Sequence, residues 1–443
     1  MKSASAEPTV EAHSELPAPH ADHAGRVARA AFVGNLLECY DYFLFGTAAA
    51  IVFNRLYFTT LDPTAATLAA FATFGAGFAA RPIGAAFFGY IGDKIGRRPA
   101  LLTTVVLIGI ATGLVGCLPS YASIGIAAPI VLAVLRLLQG FALGGEWGGA
   151  VTMAVEHAPV DKRGRYAALV QLGSPFGTLM SSGAFSVVLL LPPDSFDSWG
   201  WRLPFLAAFP LLGVALYIRL KMEESPIFKK VTELEERAGV PLLELIRTSW
   251  GRLLVALAGS LLGVGGFYLM TTFVVSYGVG TLGLERQLMV NATLIAAGVQ
   301  IVALLVAGRV AERYGPGRLT VWGGLSTAAA AFPLFWMIDT KNPVAVVFAV
   351  SLAIAFISIA YAVNGSLLTE LFPPNVRYTG VALGYNLAGV ISGFLPFIGV
   401  ALLDASGGAS WPICVLLAAI AITTAIGGHL GARMRLKDHD IAE

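Results

Sequence analysis

Apolar segments long enough to cross a lipid bilayer follow one another along nearly the whole chain. A helix needs about 20 apolar residues to span the hydrocarbon layer, and within lipid only a helix or a closed barrel satisfies its backbone polar groups. Charged residues make up only 13% of the 443 residues, against about 25% in soluble domains. The sequence therefore predicts an all-α membrane protein with twelve transmembrane helices. The segments are 30–55, 66–91, 99–118, 126–153, 165–191, 200–220, 252–278, 288–310, 318–338, 343–369, 379–403 and 411–431.

A polar stretch at 221–250 separates these segments into two groups of six. It mixes leucine and valine side chains with charges, which is typical of short amphipathic helices on a membrane surface. We interpret it as a linker between two halves, and a site for a regulatory partner is the alternative. The predicted organisation is a cytoplasmic disordered tail (1–28), an N-terminal bundle (29–220), a cytoplasmic linker (221–250), a C-terminal bundle (251–431) and a second cytoplasmic tail (432–443).

The distribution of Lys and Arg predicts which way the helices run through the membrane. Of the 29 basic residues, 23 fall in the tails and loops on one side and 4 in the loops on the other. Loops rich in basic residues stay on the cytoplasmic side of a membrane. We therefore expect a multi-pass protein of the cell (inner or plasma) membrane with both termini in the cytoplasm.

Two short charged turns appear once in each half of the chain. The turn Gly89–Arg98 returns 219 residues later as Gly308–Arg318, and Glu156–Arg163 returns 214 residues later as Glu370–Arg377. This duplication predicts two pseudo-symmetric six-helix bundles. We interpret the turns as latches that close the cytoplasmic side, and a topological anchor is the alternative. The candidate gate residues are Gly89, Asp93, Gly96, Arg97, Arg98, Glu156, Arg163, Glu312, Arg313, Glu370 and Arg377.

The first of these turns resembles the signature loop of the major facilitator superfamily. Its second copy is degraded, because Pro316 and Gly317 replace the paired arginines Arg97 and Arg98. The resemblance implies a major facilitator fold, in which two halves are related by an axis along the membrane normal. It also implies a substrate site between the halves near mid-membrane.

Five ionisable residues lie inside the apolar segments of the first half: Glu38, Asp41, Arg81, Arg136 and Glu146. Each costs roughly 2.5–3.5 kcal/mol at the bilayer centre, so a function is the expected reason for it. Glu38 and Asp41 project from neighbouring positions of one helix face, and two close carboxylates in a low-dielectric cavity do not both ionise cheaply. We predict that Asp41 carries a proton, alone or with Glu38, while a static ion pair with Arg81 or Arg136 is the alternative. Arg136 is expected to face Asp41, and Glu146 is either a second proton site or a structural partner.

Arg81 is the candidate for binding an anionic substrate. It precedes Asp93 by 12 residues, or roughly 18 Å of helix, which places it near mid-membrane. A guanidinium can hold a carboxylate by two parallel hydrogen bonds, whereas neutralisation of Glu38 or Asp41 is the alternative. The second half has no comparable charge, and Gln300 occupies the position that matches Arg81. The candidate substrate-binding residues are Arg81, Gln171, Tyr268, Gln300, Tyr361, Asn364, Tyr385 and Asn386.

Four segments resemble the metabolite:H+ symporter family within that superfamily: Glu38–Tyr42, Arg81–Gly84, Gly144–Gly149 and Glu223–Phe228. Cys39 departs from the tryptophan that is usual in the family. The resemblance implies proton-driven uptake of small metabolites such as shikimate, 2-oxoglutarate, citrate or other carboxylates, or of betaines and proline.

The predicted function is a proton-coupled symporter that imports a small organic anion, such as a mono- or dicarboxylate, by alternating access. We expect no cofactor, no metal, no nucleic-acid partner and a monomer in the bilayer. The alternatives are a proton symporter of a zwitterionic osmolyte and a metabolite receptor that does not transport. Osmolyte-type relatives carry a long C-terminal coiled coil, and only Arg433–Glu443 follows the last apolar segment. The helices hold no arrangement of nucleophile and base that would indicate an enzyme.

Overall fold

The computed structural model describes residues 21–94, 97–144, 154–155, 158, 162–220, 249–373 and 377–435. The described residues form helices and connecting turns, with no strand among them. The predicted first tail falls mostly outside this part of the chain, as do nearly all of the linker and most of the second tail. Their predicted roles therefore remain predictions.

The first half contributes six membrane helices, and three of them are interrupted or extended by a turn of different geometry. Helix α1 changes to a π-helical turn and then back to a short α-helix, whereas α5 and α6 are each broken once. The ranges are Ala21–Ala48, Ala49–Phe53 and Asn54–Leu56 for α1, Pro63–Lys94 for α2, Arg97–Cys117 for α3, Ala127–Leu143 for α4, Arg163–Gln171 and Gly173–Val188 for α5, and Leu203–Leu206 and Ala208–Leu220 for α6.

The second half repeats this set. Helix α7 contains two π-helical turns, and α10 and α11 are each broken once. The ranges are Trp250–Leu261, Leu262–Gly266, Leu269–Phe273 and Val274–Gly280 for α7, Arg286–Tyr314 for α8, Pro316–Asp339 for α9, Pro343–Ala362 and Asn364–Leu371 for α10, Arg377–Gly393 and Leu395–Ala405 for α11, and Trp411–Arg433 for α12. Short helices at Tyr121–Ile124, Pro193–Ser198 and Gly200–Arg202 connect helices of the first half.

The predicted fold class is confirmed: twelve membrane helices form two six-helix bundles. Eight helices in the described part are long and apolar enough to cross a membrane, and shorter apolar helices lie at the positions of α3, α4 and α6. Local signals explain several helix ends. Asp62 accepts backbone hydrogen bonds from Thr64 and Ala65 at the start of α2, as an N-cap does. Gly315, with φ of 78°, ends α8 in a conformation that suits glycine.

Helix pairing shows the duplication directly. In the first half α1 packs on α5, α2 on α4, and α3 on both α4 and α6. In the second half the matching helices make the same pairs, α7 with α11, α8 with α10, and α9 with both α10 and α12. The two halves meet where α5 packs on α8 and where α2 packs on α11. These two contacts are exchanged by the same pseudo-symmetry, so the interface is also two-fold.

Glycines let α2 and α4 approach closely beside the buried charges. A Cβ added at Gly140 would lie 1.7 Å from the carbonyl oxygen of Gly77, and one at Gly144 would lie 2.1 Å from that of Arg81. Small residues are the usual means of such contacts in lipid. The approach brings the backbone of α2 against α4 and so fixes the spacing between Arg81 and Arg136.

The π-helical turns lie in α1 and α7, which are equivalent helices of the two halves. These turns also form contacts between the halves, because the turn of α7 lies against α1 and that of α1 lies against the last segment of α7. A Cβ added at Gly46 would lie 2.8 Å from the Thr272 hydroxyl. Turns of this kind often occur at functional sites. The turn Ala49–Phe53 lies in α1, the helix that carries the buried acids Glu38 and Asp41.

Candidate functional site

The first element of the site is a buried ion pair between α1 and α2. Arg81 Nη2 donates to Glu38 Oε1 at 2.8 Å, and the two side chains are 2% and 5% exposed. Arg81 Nε has no hydrogen-bond partner among the described residues. Arg81 therefore neutralises Glu38 in this state and keeps one donor unused. This contact is the alternative that the sequence left open for Arg81.

The second element is a network around Asp41 inside the first bundle. Asp41 Oδ2 accepts from Arg136 Nη1 at 3.3 Å, and Oδ1 accepts from Gln139 Nε2 at 2.7 Å. The Thr112 hydroxyl also donates to Oδ1 and accepts from Gln139 Nε2 at 2.9 Å. Asp41 is thus held by donors from α3 and α4. The predicted contact between Arg136 and Asp41 is present.

Two aromatic rings lie between the ion pairs. The Tyr42 ring centroid is 5.3 Å from Cζ of Arg81 and 5.4 Å from Cζ of Arg136. Phe78 stacks on Tyr42 at 4.9 Å and lies 5.8 Å and 5.7 Å from the same two atoms. The ring faces attract cations, so they stabilise both guanidinium groups while separating them. The four charges form two neutral pairs.

Tyrosines of the second half complete the surroundings of Arg81. The Tyr385 ring lies 5.9 Å from Arg81 Cζ, and Tyr268 packs on Phe78 with centroids 5.2 Å apart. Tyr361 is buried and is a hydrogen-bonding neighbour of Tyr385. Of the predicted substrate-binding tyrosines, Tyr268 and Tyr385 therefore lie near Arg81 at the interface of the halves, and Tyr361 lies beside Tyr385.

The predicted amide residues are buried but do not converge on one point. Gln171 Nε2 donates to the carbonyl oxygen of Tyr361 at 3.3 Å, and Asn386 Nδ2 donates to that of Gly144 at 2.8 Å; both contacts join the halves. Asn364 accepts from Ser260 within the second half. Gln300 is 0% exposed, and neither of its amide atoms has a hydrogen-bond partner among the described residues. A buried amide left without partners costs about 1–3 kcal/mol, so Gln300 is the amide best placed to gain from a ligand or water.

Much of the predicted gate lies outside the described residues or their described side chains. This holds for Glu146 and for the gate positions of the first half other than Arg163, which are Gly89, Asp93, Gly96, Arg97, Arg98 and Glu156.

In the second half, Glu312 and Arg313 are exposed and form no ion pair with another described side chain. Glu370 pairs with Arg435 at 3.2 Å, and Arg377 Nε donates to the carbonyl oxygen of Phe372. The latch remains a prediction.

A polar cluster at the predicted external end was missed by the sequence reasoning. Gln287 Nε2 of α8 donates to Ser186 Oγ of α5 at 2.7 Å, and Ser186 donates to Asn291 Oδ1 at 2.7 Å. Ser182 and Thr293 lie 3.0 Å apart one turn deeper. The residues are neutral and therefore carry no charge signal. Their spacing of four along each helix was the available clue.

Two bundles of six membrane helices that enclose paired charges at their interface define a membrane transporter. The profile of the Major Facilitator Superfamily matches residues 31–396, and the chain belongs to this superfamily.

Similar proteins indicate the family to which the chain belongs within this superfamily. The Shikimate transporter of Escherichia coli (strain K12) is 38% identical over 408 residues, which cover 91% of this chain and 93% of that protein. The Proline/betaine transporter of the same organism is 32% identical over 402 residues, 88% of this chain and 79% of that protein. These relatives confirm the predicted metabolite:H+ symporter family. A solved D-xylose-proton symporter has a TM-score of 0.69, covers 93% of this chain and 97% of its own, and at 18% identity shows the fold alone.

No group of His, Cys, Asp and Glu that could hold a metal ion occurs among the described residues. The charges at the site are instead balanced by protein groups. The ion pairs at this site can exchange protons and carboxylate partners.

Proposed function

We propose that this protein imports a small organic anion together with a proton, with both termini in the cytoplasm. The observation that carries the proposal is the buried contact between Arg81 and Glu38 at the interface of the halves, 2.8 Å long. A substrate carboxylate can replace Glu38 on the guanidinium fork, to which it is geometrically suited. Tyrosines from the second half surround the same arginine and supply hydroxyl groups for a polar solute.

Charge balance couples the proton to the substrate. Glu38, Asp41, Arg81 and Arg136 sum to zero when all four are ionised. An added carboxylate would leave one uncompensated buried anion, which is strongly unfavourable. Uptake of one proton by the Glu38 and Asp41 pair restores neutrality, and such a pair shares its protons as a unit. Asp41 is the predicted proton carrier. Glu38 is the acid that pairs with Arg81, so a change in the charge of the acid pair alters the interaction between Glu38 and Arg81.

Alternating access follows from the two interfaces between the halves. The bundles rock about the buried site, opening first at the predicted external end and then at the predicted cytoplasmic end. With one proton on the Glu38 and Asp41 pair and a monocarboxylate bound, the interior is neutral in both positions. Release of both species to the cytoplasm lets Glu38 pair with Arg81 again.

The test is uptake of radiolabelled solutes into proteoliposomes under an imposed pH gradient. The panel contains shikimate, 2-oxoglutarate, citrate, proline and glycine betaine. We expect accumulation of a carboxylate metabolite that an uncoupler abolishes. Arg81→Ala should lower affinity for that solute by about tenfold or more, because a charge-assisted hydrogen bond contributes about 1.5–3 kcal/mol. Asp41→Asn should abolish gradient-driven accumulation.

Two exposed residues provide matched controls. Arg433→Ala removes an exposed arginine at the end of α12 and Asp404→Asn an exposed aspartate at the end of α11; both should transport normally. Unchanged affinity in Arg81→Ala would contradict the role of Arg81 as a clamp. Gradient-driven accumulation by Asp41→Asn would contradict the proton assignment.

A zwitterionic osmolyte is the second candidate. The rings of Tyr42, Phe78 and Tyr385 around Arg81 are of the kind that bind quaternary ammonium groups, and a betaine also carries a carboxylate. The same panel separates the two, since accumulation of glycine betaine without any carboxylate metabolite would favour the osmolyte.

A further inference from the structure

A cavity of about 50 Å³ lies behind α1, on the side that faces the interior of the first bundle. Residues of α1, α3, α4 and α6 line it, among them Glu38, Asp41, Thr112 and Ala208. All lining residues belong to the first half, and neither Arg81 nor a tyrosine of the second half is among them. The cavity therefore reaches both acids without passing the substrate-binding surface.

The polar groups at one end of the cavity suit water. One water needs about 10–15 Å³ of such volume, so there is room for about three. Glu38, Asp41 and Thr112, which have oxygen atoms in their side chains, are among the lining residues. Gln139 is 0% exposed and bonded to Asp41 and Thr112, and its Oε1 has no partner among the described residues. Gln139 does not line the cavity, but its hydrogen-bond partners Asp41 and Thr112 do.

Along α1, the cavity lies on the N-terminal side of Asp41. Its lining on α1 runs from Asp41 back to Gly34, roughly 10 Å of helix, toward the N-terminal end of α1. That end is the predicted cytoplasmic end. Apolar side chains of α3 and α6 form the rest of the wall. The charged groups that face Asp41 are Glu38 of α1 and Arg136 of α4, and α6 adds none among the lining residues.

We propose that this cavity holds the water through which the proton on Asp41 and Glu38 leaves to the cytoplasm, separately from the substrate. The inference rests on the proposed proton coupling. The proton passes from the carboxyl oxygen to a cavity water and on to bulk water, and the carboxylate that remains re-forms its ion pair. Substrate and proton then share one conformational cycle but leave by different routes.

Thiol labelling tests the cavity without requiring any transported substrate. The background is the triple variant Cys39→Ser, Cys117→Ser and Cys414→Ser. In this background, Ala208→Cys is treated with a charged, membrane-impermeant methanethiosulfonate in inside-out vesicles. The thiolate is the reactive species and is disfavoured in apolar surroundings, so labelling requires water. The matched control is Val214→Cys, on the exposed face of the same helix.

We expect labelling at position 208 to be about tenfold faster or more than at 214, a difference of about 1.4 kcal/mol in barrier. Equal rates, or no labelling at 208, would overturn the water-filled cavity. This result is independent of transport, so it stands even if the proposed substrate class is wrong.

A second variant tests the route. Ala208→Leu fills the cavity, while Val214→Leu enlarges a side chain on the exposed face of the same helix. Shikimate uptake driven by a pH gradient should fall by about tenfold in Ala208→Leu, whereas exchange of internal for external shikimate, which needs no proton release, should be unchanged. Normal gradient-driven uptake in Ala208→Leu would show that the proton leaves by another path. Equal loss of exchange would show a general structural defect and would contradict a separate route.

Discussion

At the residue scale, Glu38 and Asp41 are three positions apart on α1 but have different partners. Glu38 faces Arg81 and the second half. Asp41 faces the interior of its own bundle, where Thr112, Gln139 and Arg136 donate to it. Glu38 therefore lies on the side of α1 that faces the proposed substrate site, and Asp41 lies on the side that faces the bundle interior. Tyr42 packs between the two arginines.

Thr112→Val is expected to weaken proton-driven uptake while preserving substrate exchange. The substitution keeps the shape of the side chain and removes a hydrogen bond to a carboxylate, worth about 1.5–3 kcal/mol, or roughly tenfold in rate. Initial rates of shikimate uptake and exchange in proteoliposomes provide the measurement. Thr73→Val is the control, because the Thr73 hydroxyl bonds only to the carbonyl of Ala69 in its own helix. Similar losses in both variants would argue against a role specific to Asp41.

At the element scale, α5 and α8 are in contact along their whole paired length. Near the predicted external end, Ser186 bonds to Asn291 at 2.7 Å. Near the predicted cytoplasmic end, a Cβ added at Gly164 would lie 2.8 Å from that of Ala311. Hydrogen bonds close one end and small side chains close the other. A rocking movement must therefore separate polar partners to open outward and an apolar contact to open inward.

Disulfide cross-linking of α5 to α8 should stop transport reversibly. S186C with N291C is expected to cross-link on mild oxidation and to abolish shikimate uptake until a reductant is added, since the external end could no longer open. Uptake by each single variant under the same oxidation is the control. Full uptake in a completely cross-linked sample would mean that these helices do not separate at this end.

At the scale of the whole molecule, the four buried charges of the described residues cancel within the first bundle. A carboxylate and a proton moving together keep that sum at zero. Import of a monocarboxylate should therefore be electroneutral, because an uncompensated charge in the interior is costly.

We accordingly expect a pH gradient, acid outside, to drive accumulation of the monocarboxylate that the uptake panel identifies, and a potassium diffusion potential alone to drive none. Proteoliposomes with valinomycin permit the two forces to be applied separately. Accumulation driven by potential without a pH gradient would indicate that more protons than negative charges are carried.

The sequence predicted the helices, the duplication and the buried acids because each is local or periodic. Contacts between distant segments could be predicted from the sequence only in part. The pairing of Arg136 with Asp41 was expected, but the partner of Arg81 was left open, since helix depth does not define rotation about the helix axis. The cluster of Ser186, Gln287 and Asn291 was missed, because neutral polar residues near helix ends are ordinary in any membrane protein and gain meaning only when α5 and α8 are placed side by side.

The confinement of all four paired charges to the first bundle has an evolutionary consequence. In the proposed mechanism, energy coupling depends on α1 to α4, whereas the second bundle contributes mainly tyrosine and amide side chains around the site. Substitutions in α7, α8, α10 and α11 can therefore change which solute is accepted while the proton machinery stays intact. A lineage built in this way can diversify its cargo quickly, and an engineered change of substrate is best begun at Tyr268, Gln300 and Tyr385.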